Sequence, residues 1–312
     1  MKKIYIKTGF IFIFLFLLIG YILSCIYVNM IMRDSIISRV QRQFYQYPYR
    51  VRNLILGDSH SEAALNPALI KGAFNYSSAW GNYFDIFTCL KFVLDHRIKN
   101  VDTVILPLEY HSFDGARIAE NRNAWYWAGY LDPGDIGWDY KKLFIFAQRY
   151  LSGRFFSYMG EKDSVFYFLR KKPLREINLG YYPWWEFSIH QLKPEEALPR
   201  VLQRHFKDNY AVNDILAEYF FRTIDMCLKN NVRVVLVRYP ISRLYDKVVH
   251  QLYSLKEFDR LIDHVRQKYP DIRILDARSL YSSQEEQLFY DFDHLNEKGA
   301  YEFSRYMNDY LN

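Results

Sequence analysis

The sequence feature that most constrains this chain is an uncharged apolar run near its N-terminus. No residue from Thr8 to Met32 carries a charge. As an α-helix this segment rises about 36 Å, which is enough to cross a hydrocarbon core about 30 Å thick. A cleavable signal peptide has a shorter apolar region followed by a small-x-small cleavage site, and neither feature is present. The run therefore predicts one transmembrane helix over residues 8–32 that stays attached to the protein.

Basic residues lie on both sides of the predicted span. Three lysines precede it and three arginines follow closely, so the two counts balance. Under the positive-inside rule, the additional charge of the N-terminal amine then decides the orientation. We expect the N-terminus inside and residues 40–312 outside the cell membrane, as a single-pass protein. The segment Ile22-Leu23-Ser24-Cys25 is a weaker signal for lipidation, because the apolar run continues past Cys25.

Beyond a connector at residues 33–50, short apolar segments alternate with helical apolar stripes. The pattern predicts strands at 51–56, 101–106, 232–237 and 272–275, and helices at 83–94, 216–227, 245–268 and after residue 300. Such alternation favours a parallel sheet covered by helices. Residues 51–312 are therefore predicted to form one α/β domain, with an insertion or lid at about 112–210 that is rich in Trp and Tyr.

Charge and cysteine content exclude several classes of function. A net charge of +6 over 312 residues, with no dense block of Lys and Arg, argues against a nucleic-acid partner. The three cysteines form no Cys-x-x-Cys pair, so neither a disulfide framework nor a thiolate zinc site is indicated. No cofactor is implied. A metal is not predicted either, because no second cluster with recognisable ligand spacing accompanies Asp291, Asp293 and His294.

Residues directly after the strands are the candidates for chemistry, because ligands bind beyond the carboxyl ends of parallel strands. The first predicted strand ends at Gly57-Asp58-Ser59, where Gly57 permits a tight turn and Ser59 begins a predicted helix. Backbone N–H groups at such a helix end favour the oxyanion that forms when a serine attacks an ester. Taken alone, Asp58 or Ser59 is more often a simple helix cap.

A serine nucleophile needs a base, and the C-terminal region supplies a candidate. Asp291 and His294 are three residues apart, a spacing that lets the carboxylate orient the imidazole while its other nitrogen faces a serine. The predicted order along the chain is Ser59 as nucleophile, Asp291 as orienting acid and His294 as base. His60 and His111 also follow predicted strands; lone histidines in such places are more often polar residues at the rim of a site, and their roles stay open.

These motifs resemble those of the SGNH/GDSL hydrolase superfamily, in which a Gly-Asp-Ser block follows the first strand and an Asp-x-x-His block lies near the C-terminus. The resemblance covers roughly residues 50–110 and 211–312. It implies a flavodoxin-like, doubly wound parallel sheet and a serine hydrolase or acyltransferase with the catalytic residues Ser59, Asp291 and His294.

Two further blocks of that superfamily match less well. The second block contributes a glycine N–H to the oxyanion site, which implies Gly81, although it lies one place later than usual; Asp58 is the other candidate for oxyanion or substrate binding. The third block normally carries an asparagine donor. Here Pro107-Leu108-Glu109-Tyr110-His111 takes its place, so that donor is missing.

The membrane anchor and the missing third block are similar to the polysaccharide-modifying branch of the superfamily, which includes alginate O-acetylation proteins and the D-alanine transfer protein. The resemblance implies an enzyme of the cell envelope that acts on acyl esters, above all acetyl esters, of a cell-surface polysaccharide. A membrane-bound acyltransferase is a candidate partner. The alternative is a non-catalytic glycan-binding or assembly protein of the same fold. Lipid esters near the bilayer are a chemically equivalent substrate.

The tryptophans of the predicted insertion have two interpretations. They would stack on sugar rings in a cleft, or they would pack within the insertion or at the bilayer interface. The residues concerned are Trp125, Trp127, Trp138, Trp184 and Trp185.

Overall fold

The computed structural model describes residues 2–47, 50–79, 81–95, 101–119, 143–144, 147, 151, 155, 176–183, 198–199, 211–283 and 285–312. Two compact units make up the chain. Met1–Arg39 with Asn121–Leu174 form the first unit, and Val40–Glu120 with Arg175–Asn312 form the second. The five tryptophans of the predicted insertion and most of its length lie outside the described residues. The domain boundaries proposed from sequence stay predictions.

The first unit contains a long apolar helix, α1 (Lys2–Met30). Within it, Thr8–Met30 has a mean hydropathy of 2.7 and is long and apolar enough to cross a membrane. The side chains of Phe10, Phe12 and Phe14 are at least 64% exposed. This exposure differs from that of a core helix in a soluble protein, where side chains of this kind are buried. A short 3₁₀ turn at Met32–Asp34 precedes α2 (Ile36–Gln46).

The second unit is built on a five-stranded parallel sheet. The strands are β1 (Asn53–Ile55), β2 (Ala73–Asn75), β3 (Thr103–Pro107), β4 (Arg233–Arg238) and β5 (Arg273–Asp276). Their order across the sheet is β2-β1-β3-β4-β5. Leu54 of β1 pairs with both Phe74 and Val104, which places β1 between β2 and β3. This is the flavodoxin-like, doubly wound order, so the predicted fold class is confirmed.

Helices follow the strands as the alternation predicted. They are α3 (Ser59–Ala64), α4 (Tyr83–Asp95), α5 (Asp214–Lys229), α6 (Arg243–Leu252), α7 (Lys256–Lys268), α8 (Glu285–Leu288) and α9 (Glu297–Leu311). Polar side chains cap several of them. The Asn213 side chain accepts from two backbone N–H groups of α5, and the Asn296 side chain accepts from Gly299 N–H in α9.

Both faces of the sheet are buried. On one face, Ile55, Ile105 and Val235 share a hydrophobic cluster with Phe303 and Met307 of α9. The alternate strand residues Leu54, Val104 and Leu106 are also fully buried and point to the other face, because side chains alternate along a strand.

Aromatic packing joins α4 and α5 on that second side. The Tyr83 ring lies 5.1 Å from Phe113 and 4.8 Å from Phe220, measured between ring centroids. Phe113 and Phe220 also contact each other edge to face. Aromatic residues make up 19% of the chain, and part of them therefore packs in the core.

Two elements differ from the sequence-based expectations. The helix predicted over 245–268 is two helices, because Tyr253 adopts an extended backbone and the chain restarts its helix only after Leu255. Leu252, Leu255, Phe258 and Leu261 recur at intervals of three residues, so helical apolar spacing continues across the break and conceals it. The strand β2 was not predicted. It is only three residues long, and its segment carries no alternating pattern.

The segments that flank the predicted insertion meet in the second unit. Asp114 and Val212 form an antiparallel bridge, and Asn213 N–H donates to Phe113 O at 2.9 Å. Residues 176–183 lie beside β2, where Asn75 N–H donates to Leu179 O at 2.9 Å. Residues at the two ends of the predicted insertion are therefore in contact.

Candidate active site

The central strands β1 and β3 end side by side at the carboxyl edge of the sheet. Leu56 N–H donates to Ile105 O at 3.0 Å, and Leu108 N–H donates to Val237 O at 2.7 Å. The residues that follow, Gly57–Ser59 and Leu108–His111, therefore reach the edge together. In the order β2-β1-β3 the connections diverge to opposite sides, and ligands bind at this switch point in such sheets.

The turn that presents Ser59 depends on close packing at Gly57. A Cβ at Gly57 would lie 2.0 Å from Ser61 Oγ and 2.7 Å from Ser61 Cβ, so only glycine fits. Asp58 caps α3 by accepting from His60 N–H at 3.0 Å. Ser59 is partly exposed, whereas both residues before it are buried. The turn therefore offers one hydroxyl to the outside.

The loop before α9 holds Asp291 and His294 in a fixed relationship. Asp291 Oδ1 accepts from the backbone N–H groups of Asp293 at 3.2 Å and His294 at 2.9 Å. Such an Asx turn fixes the carboxylate against its own loop. The loop is closed by Tyr290 N–H, which donates to His294 O at 2.9 Å. A Cβ at Gly299 would lie 2.2 Å from Leu288 O, so α9 packs directly on the start of this loop.

Ser59, His294 and Asp291 form a continuous chain of contacts. Ser59 Oγ lies 3.0 Å from His294 Nε2, and His294 Nδ1 lies 2.9 Å from Asp291 Oδ1. Burial alone lowers the pKa of His294, but Asp291 and Asp293 outweigh it and raise the pKa to about 9. The arrangement can accept the proton of the serine hydroxyl and hold the resulting imidazolium.

Asp58 precedes Ser59 in the same turn, and its side chain is buried. Its Oδ2 lies 2.8 Å from His111 Nε2 and 3.4 Å from Ser112 Oγ. Burial alone raises the pKa of Asp58, but His111 outweighs it, and the pKa is held far below its usual range. The carboxylate is thus ionised and engaged within the protein. A role in substrate binding stays a prediction.

Gly81 lies beside the turn at Gly57–Ser59. A Cβ on Gly81 would lie 2.8 Å from Gly57 O and 2.9 Å from Ser78 O, so the two segments approach closely. The Gly81 N–H donates to Ser78 O at 2.8 Å in this structure. Its role as an oxyanion donor stays a prediction.

Glu62 of α3 connects this helix to the loop before Gly81. Its carboxylate accepts from Ala79 N–H at 3.1 Å and from the Tyr182 hydroxyl at 2.8 Å. Glu62 is 3% exposed. Sequence reasoning did not identify this contact, because a glutamate in the first turn of a helix is common and its partners are distant along the chain.

Glu109 lies in the segment 107–111, which follows β3, and its side chain is buried. Its Oε1 accepts from Tyr239 N–H at 3.1 Å, and its Oε2 lies 2.6 Å from His60 Nδ1 and 3.6 Å from His111 Nε2. His60 and His111 are 2% and 0% exposed. The expectation that these histidines lie at a polar rim is therefore wrong. Both are buried beneath the site among carboxylates, which no local sequence pattern indicates.

Histidine and carboxylate donors come together in this buried region. His60, Asp293 and His294 form one group and His60, Glu109 and His111 another, with donor atoms within 4.8 Å of one another in each. Sequence analysis found no second cluster, because these residues come from three separate segments. In both groups the nitrogens contact carboxylate oxygens directly, as ion pairs do. The absence of a metal stays a prediction.

Comparison with other proteins gives distant structural likenesses only. No protein-family model and no curated protein sequence matches the chain. A proposed acylhydrolase from Bacteroides fragilis is similar at a TM-score of 0.39 and 11% identity, over 88% of this chain and 93% of that one. A proposed platelet activating factor from Streptococcus pneumonia has a TM-score of 0.39 at 12% identity, over 93% and 99%. A GDSL-like lipase from Bacteroides thetaiotaomicron has a TM-score of 0.39 at 7% identity, over 88% and 97%. The fold assignment rests on the sheet order described above.

Proposed function

We propose that this protein is a membrane-anchored serine esterase or O-acyltransferase that acts on acyl esters, above all acetyl esters, of a cell-surface polysaccharide. One observation carries the proposal: Ser59 Oγ lies 3.0 Å from His294 Nε2, and His294 Nδ1 lies 2.9 Å from a buried carboxylate of Asp291. A serine hydroxyl is a weak nucleophile by itself, and a positioned imidazole is the group that activates it.

The reaction proceeds in two halves. Ser59 Oγ attacks the acyl carbonyl carbon while its proton passes to His294 Nε2, and Asp291 stabilises the imidazolium. The tetrahedral intermediate collapses, the bond to the leaving sugar oxygen breaks, and His294 returns the proton to that oxygen. In the second half, water or a glycan hydroxyl attacks the acyl-serine. His294 takes the proton of the attacking group and delivers it to Ser59 Oγ as the ester bond breaks.

Stabilisation of the oxyanion is assigned to backbone groups. The N–H groups at the start of α3 and the N–H of Gly81 are the proposed donors, the latter after release from Ser78 O. Since the segment 107–111 lacks the third-block asparagine, one donor fewer is expected than in typical members of the superfamily. Loss of one such donor costs about a hundredfold to a thousandfold in rate, so catalysis persists.

The location and substrate follow from the anchor and from the resemblance. A helix of the length and hydropathy of Thr8–Met30 supports a single-pass anchor. With its N-terminus inside, the catalytic domain is extracytoplasmic and meets envelope polysaccharide. Hydrolysis and transfer differ only in the group that attacks the acyl-serine, which is water in hydrolysis and a glycan hydroxyl in transfer.

Turnover of acetyl esters by the full chain in detergent micelles tests the proposal. We expect hydrolysis of p-nitrophenyl acetate and release of acetate from an O-acetylated polysaccharide. Ser59→Ala and His294→Gln should each lower kcat/KM by at least about a thousandfold. Ser61→Ala is the matched control, since Ser61 is buried two residues away, and it should retain activity within about tenfold. Equal activity of Ser59→Ala and the unmodified protein would instead favour the non-catalytic glycan-binding alternative.

A further inference from the structure

A second histidine lies behind the proposed base and shares a carboxylate with it. Asp293 Oδ1 lies 3.4 Å from His294 Nδ1, and Asp293 Oδ2 lies 3.4 Å from His60 Nε2. The rings of His60 and His294 meet edge to face with centroids 5.0 Å apart. Asp293 is 3% exposed. Each of its two oxygens therefore contacts a different imidazole, and the carboxylate is shielded from solvent.

Two carboxylates approach the same nitrogen of His294. Asp291 Oδ1 is at 2.9 Å and is held by two backbone N–H groups, whereas Asp293 Oδ1 is at 3.4 Å. Each negative charge near an imidazole favours its protonated form. A general base must be neutral to accept a proton, so an uncompensated second carboxylate would impair catalysis near neutral pH.

His60 is placed to compensate that second charge. Its Nδ1 lies 2.6 Å from Glu109 Oε2, which leaves Nε2 directed at Asp293. Burial alone lowers the pKa of His60, but Glu109 and then Asp293 outweigh it and hold the pKa well above its usual value. A buried cation at this position offsets the charge of Asp293 at Oδ2, whereas His294 contacts Oδ1.

We propose that His60 is a positioning residue for the base: by holding Asp293 from behind, it leaves Asp291 as the carboxylate that orients His294. The inference rests on the proposed function. The His60 ring also meets the His294 ring edge to face, and the proposal assigns its effect on the base to its contact with Asp293.

The other charged groups that face this chain of residues belong to separate elements. On the β1–α3 turn lies Asp58, and after β3 lie Glu109 and His111, with Arg117 further along. His111 contacts Asp58 at 2.8 Å and Glu109 at 3.6 Å. None of these groups is itself replaced in the variants, and Glu109 loses its His60 partner equally in His60→Gln and in the double variant.

The titration midpoint of His294 provides a direct readout. The full chain in detergent micelles, labelled with ¹³C at histidine Cε1, gives one signal for each of its eight histidines, and His294→Gln identifies the signal of interest. The four proteins to compare are the unmodified chain, His60→Gln, Asp293→Asn and the double variant. Both replacements keep a polar side chain of similar size while removing the ionisable group, and thermal unfolding checks that each variant is folded.

The expected shifts form a cycle. His60→Gln should raise the His294 midpoint by about one pH unit, and Asp293→Asn should lower it by a similar amount. The double variant should lie close to Asp293→Asn alone, since the proposed effect of His60 passes through Asp293. The acidic limb of the pH profile of kcat/KM should shift in the same directions, so that His60→Gln loses about tenfold in kcat/KM at neutral pH.

An unchanged or lowered midpoint in His60→Gln would overturn the inference, as would additive shifts in the double variant. A stoichiometric metal ion that is retained by the unmodified chain and lost from His60→Gln would also overturn it. If Asp293→Asn alone is folded, its midpoint decides whether Asp293 acts on His294 at all. Failure of the proposed function is distinguished because the midpoints are measured without substrate: the expected cycle with no ester turnover would refute the esterase and retain the coupling.

Discussion

Ser59 Oγ and His294 Nε2 lie 3.0 Å apart although 235 residues separate them along the chain. Ser59 follows the central strand β1, and His294 lies in the loop that leads into the last helix. His294 is 5% exposed, whereas Ser59 is partly exposed. The imidazole is therefore shielded from solvent, and the hydroxyl that it contacts is the group exposed at the surface.

The two aspartates near His294 should differ strongly in importance. Asp291→Asn is expected to lower kcat by about ten-thousandfold, because an amide in place of the carboxylate favours the wrong tautomer of the base. Asp293→Asn should stay within about tenfold, since Asp291 still orients His294. Steady-state kinetics on an acetyl ester measure both. Equal losses in the two variants would contradict the assignment of Asp291.

Activity should rise with pH up to about pH 9. The pKa of His294 is raised to about 9, because Asp291 and Asp293 outweigh the effect of burial. Only neutral His294 accepts the serine proton, so kcat/KM should fall about tenfold per pH unit below that value. A pH profile of ester hydrolysis between pH 6 and pH 10, with thermal unfolding as a control at each pH, measures this. A plateau that already begins near pH 6.5 would contradict it.

Asp58 should stabilise the fold more than it affects chemistry. Asp58→Ala removes both a helix cap and the partner of a buried histidine, and is expected to cost about 3–5 kcal/mol. Asp58→Asn keeps the cap and should cost less. Urea unfolding at pH 7 compares the three proteins, and a cost of Asp58→Ala below about 1 kcal/mol would show that the buried pair with His111 contributes little.

The pH dependence of that stabilisation has a definite sign. The folded-state pKa of Asp58 is depressed below the unfolded value of about 3.9. Its contribution is therefore complete above that value and is lost as the pH falls further. The stability difference between the unmodified chain and Asp58→Asn should be constant from pH 5 to pH 7 and shrink below pH 4. A difference that grows on acidification would contradict this.

Gly299 should resist replacement even though it lies within a helix. Alanine is intrinsically about 1 kcal/mol better than glycine in a helix. Here its Cβ would lie 2.2 Å from Leu288 O, and we expect a net loss of about 1–3 kcal/mol. Lys298→Ala, at an exposed neighbour, is the control and should change stability by less than about 0.5 kcal/mol. A stabilised Gly299→Ala variant in urea unfolding would show that the packing of α9 is looser than described.

Much of the fold could be predicted because it is encoded locally. Buried parallel strands read as continuous apolar runs, and the stripe from Tyr83 onward has the period of a helix. The strand β2 was not predicted because a strand of three residues is too short to show an alternating apolar pattern. The break between α6 and α7 was missed because Leu252, Leu255 and Phe258 keep a helical spacing of three residues across it.

The candidate site was only partly accessible to sequence reasoning. Ser59, Asp291 and His294 were identified because each lies in a short motif that requires few other residues. The contacts of His60 with Glu109 and Asp293 depend on three segments meeting, and none of these residues lies in a recognisable pattern with the others. Charged groups usually lie at the surface, so their burial was not expected. Burial of such groups is tolerated only where they are paired with groups of opposite charge.

The most direct test of the central claim is covalent labelling of Ser59. A fluorophosphonate probe should add once to the full chain in detergent micelles, and peptide mass spectrometry should locate the adduct on Ser59. The adduct should disappear in Ser59→Ala and persist in Ser61→Ala. If the folded protein remains unlabelled, or if Ser59→Ala is labelled as fully as the unmodified chain, Ser59 is not an activated nucleophile and the proposed reaction is wrong.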